Sequence, residues 1–411
     1  MKTITKYIDN NKYHTTLINF IYQFKCDKKE IMALTILSRL LNKSNSFYKD
    51  EASFQKEKLN RYIMAYNVLN QGINDVYFLN FSILIPNKNI LEEDMLEKQV
   101  LFLLDNIFKN NLNDIDLFNK EKKLYIETLL NNYKNITFIA EKNLLDILDD
   151  ECIFNKLKYR DLDNINDLEI DDVSNFYNKY IKNIKPKIFI NGDIDIKRVD
   201  NIIYEYTKDF GLKEYKIITE YDNYYKCDEL IEKCDISKFY QSILYMVYNV
   251  KDYKKDDYYK LYMIHLLLNS SSSGLLMNSL RKQSNLVYHT GSSVMLKNGL
   301  LFIKAITDKE NINYAKKIIN TIIEELNNIE KFEKNIKYII RRLELSKERE
   351  LDNFYISTSN FINKYYNTDL TTSEEIDILK NITFDELKEF LNRLDLKIVY
   401  SLEGDVSARR S

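Results

Sequence analysis

Only seven glycines and two prolines punctuate a chain of 411 residues. That is about 2% of the positions against roughly 12% in average proteins, which excludes collagen-like repeats, propellers and turn-dense all-β folds. Helices are expected to dominate. At this length a single hydrophobic core is improbable, so two or more domains are expected. The 60 basic and 62 acidic side chains leave a net charge of −2, so no global field draws the chain to nucleic acid or to an anionic membrane. The N-terminal stretch MKTITKYIDNNKYHTTLINF has no apolar core ending in a small-residue cleavage site, and no run of 18 apolar residues occurs. Cys26, Cys152, Cys227 and Cys234 form no C-x-x-C pair and read as reduced thiols of a cytoplasmic protein.

The chain repeats itself. Ile170-Asp171-Asp172-Val173-Ser174-Asn175-Phe176, then KIFI, then Gly192-Asp193 is matched by Phe384-Asp385-Glu386-Leu387-Lys388-Glu389-Phe390, then KIVYSL, then Gly404-Asp405. Each copy reads as a short helix feeding a β-branched strand that ends at a Gly turn. A second pair has a similar offset: strand Val76 to Ile85 with a helix bearing Leu96, Val100, Leu103, Leu104 and Ile107, and strand Leu300 to Ile306 with a helix bearing Ala315, Ile318, Ile319, Ile322, Ile323, Leu326 and Ile329. Two matches in the same order point to duplication. The expected fold class is α+β, with two tandem homologous α/β-sandwich domains over residues 1–210 and 225–411, each a mixed or antiparallel sheet with helices on one side. A boundary is expected near residues 205–225. Ser237 to Val250 reads as a buried central strand. Glu121 to Asn135 and Lys331 to Asn353 read as long charged helices with a solvated face.

Much chemistry is excluded. No two glycines can make a G-x-G or a G-x-x-x-x-G-K, so phosphate-cradling loops are absent. The three histidines, His14, His265 and His289, build no local zinc signature and read as structural. The serine run Ser270 to Ser273 lacks a G-x-S-x-G elbow. The acids Asp149-Asp150-Glu151 sit in a run of charge that suits solvent better than acid/base catalysis. No catalytic residue and no metal ligand set is expected in this chain.

One segment carries a resemblance. Leu267 to Val294, LLNSSSSGLLMNSLRKQSNLVYHTGSSV, is similar to the signature of the second half of pitrilysin/insulinase-family zinc peptidases, in which a helix bears an Arg and a Tyr follows seven positions later on the next strand. Arg281 and Tyr288 match, with Leu286 between them. The resemblance implies that this pair holds the backbone of a peptide substrate. His289, next to Tyr288, is expected on the opposite strand face. Two further stretches resemble the same family: Asn175 to Tyr180 followed by KIFINGDIDI, and Phe118 to Lys123 followed by Leu124 to Thr128.

The first half departs from that pattern. Where the family carries H-x-x-E-H on its first long helix, this chain has KEIMALTILSRLL, Lys29 to Leu41. Thr35, Ser38 and Arg39 stand at the positions of His, Glu and His, and Glu127 or Thr128 near that of the third ligand. A guanidinium cannot ligate zinc. The resemblance thus implies a catalytically inactive subunit, half of a clam-shaped heterodimer whose other chain bears H-x-x-E-H and the zinc, with a peptide substrate and a role in bacterial peptide or bacteriocin maturation or degradation. The alternative is a structural, core-protein-like or peptide-binding subunit with no catalytic contribution. Neither reading involves nucleic acid or a membrane.

Overall fold

The computed structural model describes residues 5–43, 47–48, 50–73, 76–87, 89–110, 112–148, 165–214, 229–269, 274–284, 286–367 and 370–405. Ser270–Ser273, Asp149-Asp150-Glu151, Cys152, Cys227 and most of the expected boundary lie outside the described residues. The chain divides into two compact units, one of residues 1–131 and 153–218, the other of residues 132–152 and 219–411.

In unit 1, strands β1 (Thr5–Asp9), β2 (Thr15–Lys25), β3 (Ala65–Ile73), β4 (Val76–Pro86) and β5 (Lys187–Gly192) form one sheet of order β1-β5-β2-β4-β3. β1 and β5 run parallel, and every other pairing is antiparallel. Along β2 the residues Ile18, Phe20, Tyr22 and Phe24 enter the core, which also takes Ile31, Leu34 and Leu37 of helix α1 (Lys28–Leu41) and Val100, Leu103, Leu104 and Ile107 of α3 (Leu96–Phe108). Helix α2 (Glu51–Asn60) adds Phe54. α1 begins at a capping box: Asp27 accepts the Glu30 N–H, and the Glu30 carboxylate accepts the Asp27 N–H. It is buried around most of its circumference, so its few polar side chains must find partners inside the protein. Helices α4 (Ile115–Asn132), a short α6 (Ile170–Phe176) and α7 (Ile196–Thr207) complete the unit.

Unit 2 repeats this plan. Strands β6 (Ile231–Ile236), β7 (Ser242–Val250), β8 (Val287–Met295), β9 (Leu300–Thr307) and β10 (Leu394–Glu403) lie in the order β6-β10-β7-β9-β8, again with one parallel pair, β6 and β10, next to three antiparallel ones. The repeated motifs occupy equivalent places. The helix–strand pair α6 and β5 corresponds to α13 (Phe384–Leu391) and β10, and β4 with α3 corresponds to β9 with α9 (Ile312–Glu325). The two terminal glycines share a steric reason: a Cβ on Gly192, whose φ is +147°, would run into Thr16, and one on Gly404 would run into the carbonyls of Phe239, Tyr240 and Gln241. As expected of a central strand, all nine residues of β7 are buried, although the strand begins at Ser242 and not at Ser237.

One helix departs from the simple division. Helix α5 (Ile136–Ile147) belongs to unit 2, although it falls within residues 1–210 and the chain then returns to unit 1. It buries Ala140 and Leu144, and packs on β7 and β10. Its Glu141 Oε1 accepts from the Tyr245 hydroxyl at 3.0 Å and from Lys304 Nζ at 3.4 Å, while Asn143 Nδ2 donates to the Tyr400 hydroxyl at 2.9 Å. Tyr248, three residues on from Tyr245 in β7 and pointing the other way, donates to Asn320 of α9 at 3.2 Å. So α5 lies on the sheet face opposite α9. Helices α8 (Tyr258–Asn269), α10 (Ile329–Asp352), α11 (Phe354–Asn367) and α12 (Thr372–Asn381) complete this unit.

Candidate functional site

Two places matter, one in each unit. In unit 1, α1 carries Thr35 and Ser38 into the interior, where both are buried. The Thr35 hydroxyl donates to the Ile31 carbonyl at 2.8 Å. Ser38 Oγ lies 2.9 Å from the Thr35 carbonyl and 3.2 Å from Asn70 Oδ1, and Asn70 Nδ2 donates to Thr35 Oγ1 at 3.3 Å. Asn70 comes from edge strand β3. Next on the helix, Arg39 places Nε and Nη2 each 3.0 Å from Glu121 Oε2 of α4, and its guanidinium carbon stands 5.9 Å from the centre of the Tyr125 ring. Glu121 is only 2% exposed.

These side chains do not suit a zinc ion. The hydroxyls are engaged within the protein, a guanidinium offers donors only, and the single carboxylate is neutralised by it. Among the described residues no group of three or more His, Cys, Asp or Glu could hold a metal ion. Glu127 and Thr128, expected near the third-ligand position, are both exposed, and the Thr128 hydroxyl turns back to the Leu124 carbonyl. The acid that meets Arg39 is Glu121, which the sequence places on a solvated helix face. That expectation fails at this residue because Glu121 is turned inward against α1, where the half-buried Arg39 guanidinium supplies the counter-charge its buried carboxylate requires.

In unit 2, Arg281 lies on Met277–Gln283, which is wound as a π-helix, and its side chain is exposed. This segment packs on β8, and the Leu286 N–H reaches back to the Leu280 carbonyl at 3.0 Å. Tyr288 follows at the start of β8, the sheet's edge strand. There the pairing slips: Val287 faces Thr307 and His289 faces Ile306, so Tyr288 is the extra residue of a β-bulge. The bulge breaks the alternation of the strand. Val287 and Thr290 are buried while Tyr288 and His289 are both exposed, so His289 does not take the opposite face expected of it. The Tyr288 hydroxyl lies 2.9 Å and 3.1 Å from the two carboxylate oxygens of Asp308. Asp308 drew no attention in the sequence, where it is one acid among 62. Both π-turns and bulges recur at functional sites because they re-aim side chains, and here one irregularity carries Arg281 and the other Tyr288.

His265, on α8, is structural in its surroundings: its Nδ1 is 2.9 Å from Ser292 Oγ, its ring stacks on Tyr262, and burial pushes its pKa down.

Residues 167–343 match the family model described as the peptidase M16 inactive domain. M16 is the pitrilysin/insulinase family of the sequence resemblance. That matched stretch, less than half of the chain, is similar to the family's inactive domain. The M16 fold extends over the chain's whole described length. A conserved protein from Enterococcus faecalis V583 superposes with a TM-score of 0.87 at 20% identity, covering 98% of this chain and 96% of that one. The peptidase M16 inactive domain from Pseudomonas fluorescens gives 0.75 at 13% identity over 98% and 96%. A protease from Helicobacter pylori gives 0.75 at 14% over 97% and 96%. At these identities the likeness is one of fold. No curated protein matches the sequence. Among the described residues, no helix is long and apolar enough to cross a membrane.

Proposed function

We propose that this chain is the non-catalytic subunit of a two-chain zinc peptidase, in which Arg281 and Tyr288 hold a peptide beside a metal carried by a partner bearing H-x-x-E-H. In this reading the domain of residues 1–210 carries the degenerate metal site and that of residues 225–411 the contact pair. Its setting is bacterial peptide or bacteriocin processing in the cytoplasm. The observation that supports it best is the contrast between the two places: the Arg39–Glu121 pair engages the helix α1 position that the resemblance aligns with the family's metal motif, while Arg281 and Tyr288 are exposed on irregular backbone.

The test is reconstitution. The purified chain is expected to hold no stoichiometric zinc by elemental analysis and to cleave no peptide. Adding a partner with an intact metal motif is expected to produce chelator-sensitive proteolysis. Arg281→Ala is expected to lower the activity of the pair about a hundredfold, the scale of losing one pre-set donor, with assembly retained. Chelator-sensitive cleavage by the chain alone would overturn the reading. A pair indifferent to both Arg281→Ala and Tyr288→Phe would leave the structural-subunit alternative.

A further inference from the structure

We infer that the core of unit 1 holds an internal water site, in which one or more water molecules join the phenols of Tyr22 on β2 and Tyr66 on β3 to that of Tyr177. Both strand tyrosines belong to the core, Tyr22 with 1% of its surface exposed and Tyr66 with 6%. Neither hydroxyl has a hydrogen-bond partner among the described residues. A hydroxyl left unmatched at such depth shifts the folding equilibrium the wrong way by about tenfold, and two of them by about a hundredfold. Aromatic neighbours hold both rings in place. Centre to centre, Tyr22 lies 6.0 Å from Phe81 and 6.2 Å from Phe24, and Tyr66 lies 5.4 Å from Phe54 and 5.8 Å from Phe102.

Tyr177 supplies the third wall. It follows α6 and opens a π-helical turn, Tyr177–Ile181. Its hydroxyl donates to the Ile107 carbonyl at 2.7 Å and accepts the Asn110 N–H at 3.1 Å, at the end of α3. One lone pair of that oxygen remains. Burial first, and the Tyr177 phenol second, push both Tyr22 and Tyr66 above the ordinary phenol range, so the three groups share one region of low dielectric. The inventory of donors and acceptors fixes what fits among them. Tyr22 and Tyr66 each bring one proton and two lone pairs, whereas Tyr177 brings a lone pair only. The occupant must therefore both accept and donate. A cation cannot accept, an anion cannot donate, and either would be a charge buried among aromatic rings. Water does both, and its need for two to four polar partners is met by the three phenols. The site ties two strands to the helix layer through a group that neither layer supplies.

Phenylalanine substitution reads this site, because it removes the hydroxyl and keeps the ring. With water in place, Tyr22→Phe and Tyr66→Phe each lose a hydrogen bond, and each is expected to raise the unfolding constant of the full chain about fivefold and to lower its urea midpoint. A dry site has the opposite sign, since each change would then delete an unmatched hydroxyl. The double variant is expected to lose less than the sum of the two single ones, as one chain of water serves both phenols. Crystals of the full chain that resolve ordered water are expected to show density at hydrogen-bond distance from both phenol oxygens, and the double variant is expected to lose it. The inference is overturned if either single variant leaves the midpoint unchanged or raises it, if the two losses simply add, or if no density stands beside the two oxygens.

Discussion

Each unit presents an arginine that the sequence resemblance singles out, and the two have opposite fates. Arg39 is two-thirds covered, joined to a carboxylate that is 2% exposed, and lies over a tyrosine ring. Arg281 is exposed on a π-helical turn. Sheets of the same strand order therefore carry one arginine closed off by its own counter-charge and one exposed to solvent. The contrast teaches that two units built on one framework can use an arginine in opposite ways: Arg39 for internal cohesion in unit 1, Arg281 in solvent in unit 2.

The largest effect that could break this comparison is at Arg39. Arg39→Ala strands the buried Glu121 carboxylate and is expected to destabilise the chain by about 3 kcal/mol in urea unfolding, while Arg39→Met with Glu121→Leu is expected to recover most of the loss. If Arg39→Ala were neutral, the closed site would be no more than a surface contact. Next comes the helix that crosses between units in sequence. Leu144→Ala removes a buried side chain of α5 and is expected to cost about 2–3 kcal/mol, with amide exchange rising first in β7 and β10.

A smaller, pH-dependent effect is expected at Asp257, which Arg393 grips with Nη1 at 3.1 Å and Nη2 at 2.7 Å. Burial alone would raise this carboxyl, but the Arg393 hydrogen bonds outweigh it and hold the pKa below the usual range. A carboxyl depressed in the folded state adds stability above its unfolded value of about 4, and that stability is lost as the pH falls through the folded value. The urea midpoint of the native chain should therefore drop more steeply below about pH 4 than that of Asp257→Asn. Smallest of all, Arg281→Ala is expected to change stability by less than about 0.5 kcal/mol. A larger loss would make Arg281 a second structural arginine and dissolve the contrast.

The legible part of the fold was the part encoded in short periods. Alternation and i, i+3, i+4 spacing marked β4, β7, β9, α3 and α9. The paired Gly-Asp turns revealed the duplication, because both glycines meet the same kind of backbone crowding. That the side chains at 35, 38 and 39 are not His, Glu and His was equally legible, since it depends on which atoms they contain and not on where they point. Sequence alone thus determined a duplicated α+β chain whose first-half positions cannot grip zinc. Tertiary structure decided the rest. It brought Glu121 to Arg39 as its partner. It sent α5 to the second sheet, slipped β8 by one residue at Tyr288, and drew Asp308 to that phenol. Local patterns specify the type and apolar face of an element. Which distant group satisfies a buried charge, an uncovered sheet face or a diverted hydroxyl depends on where the chain brings those elements together.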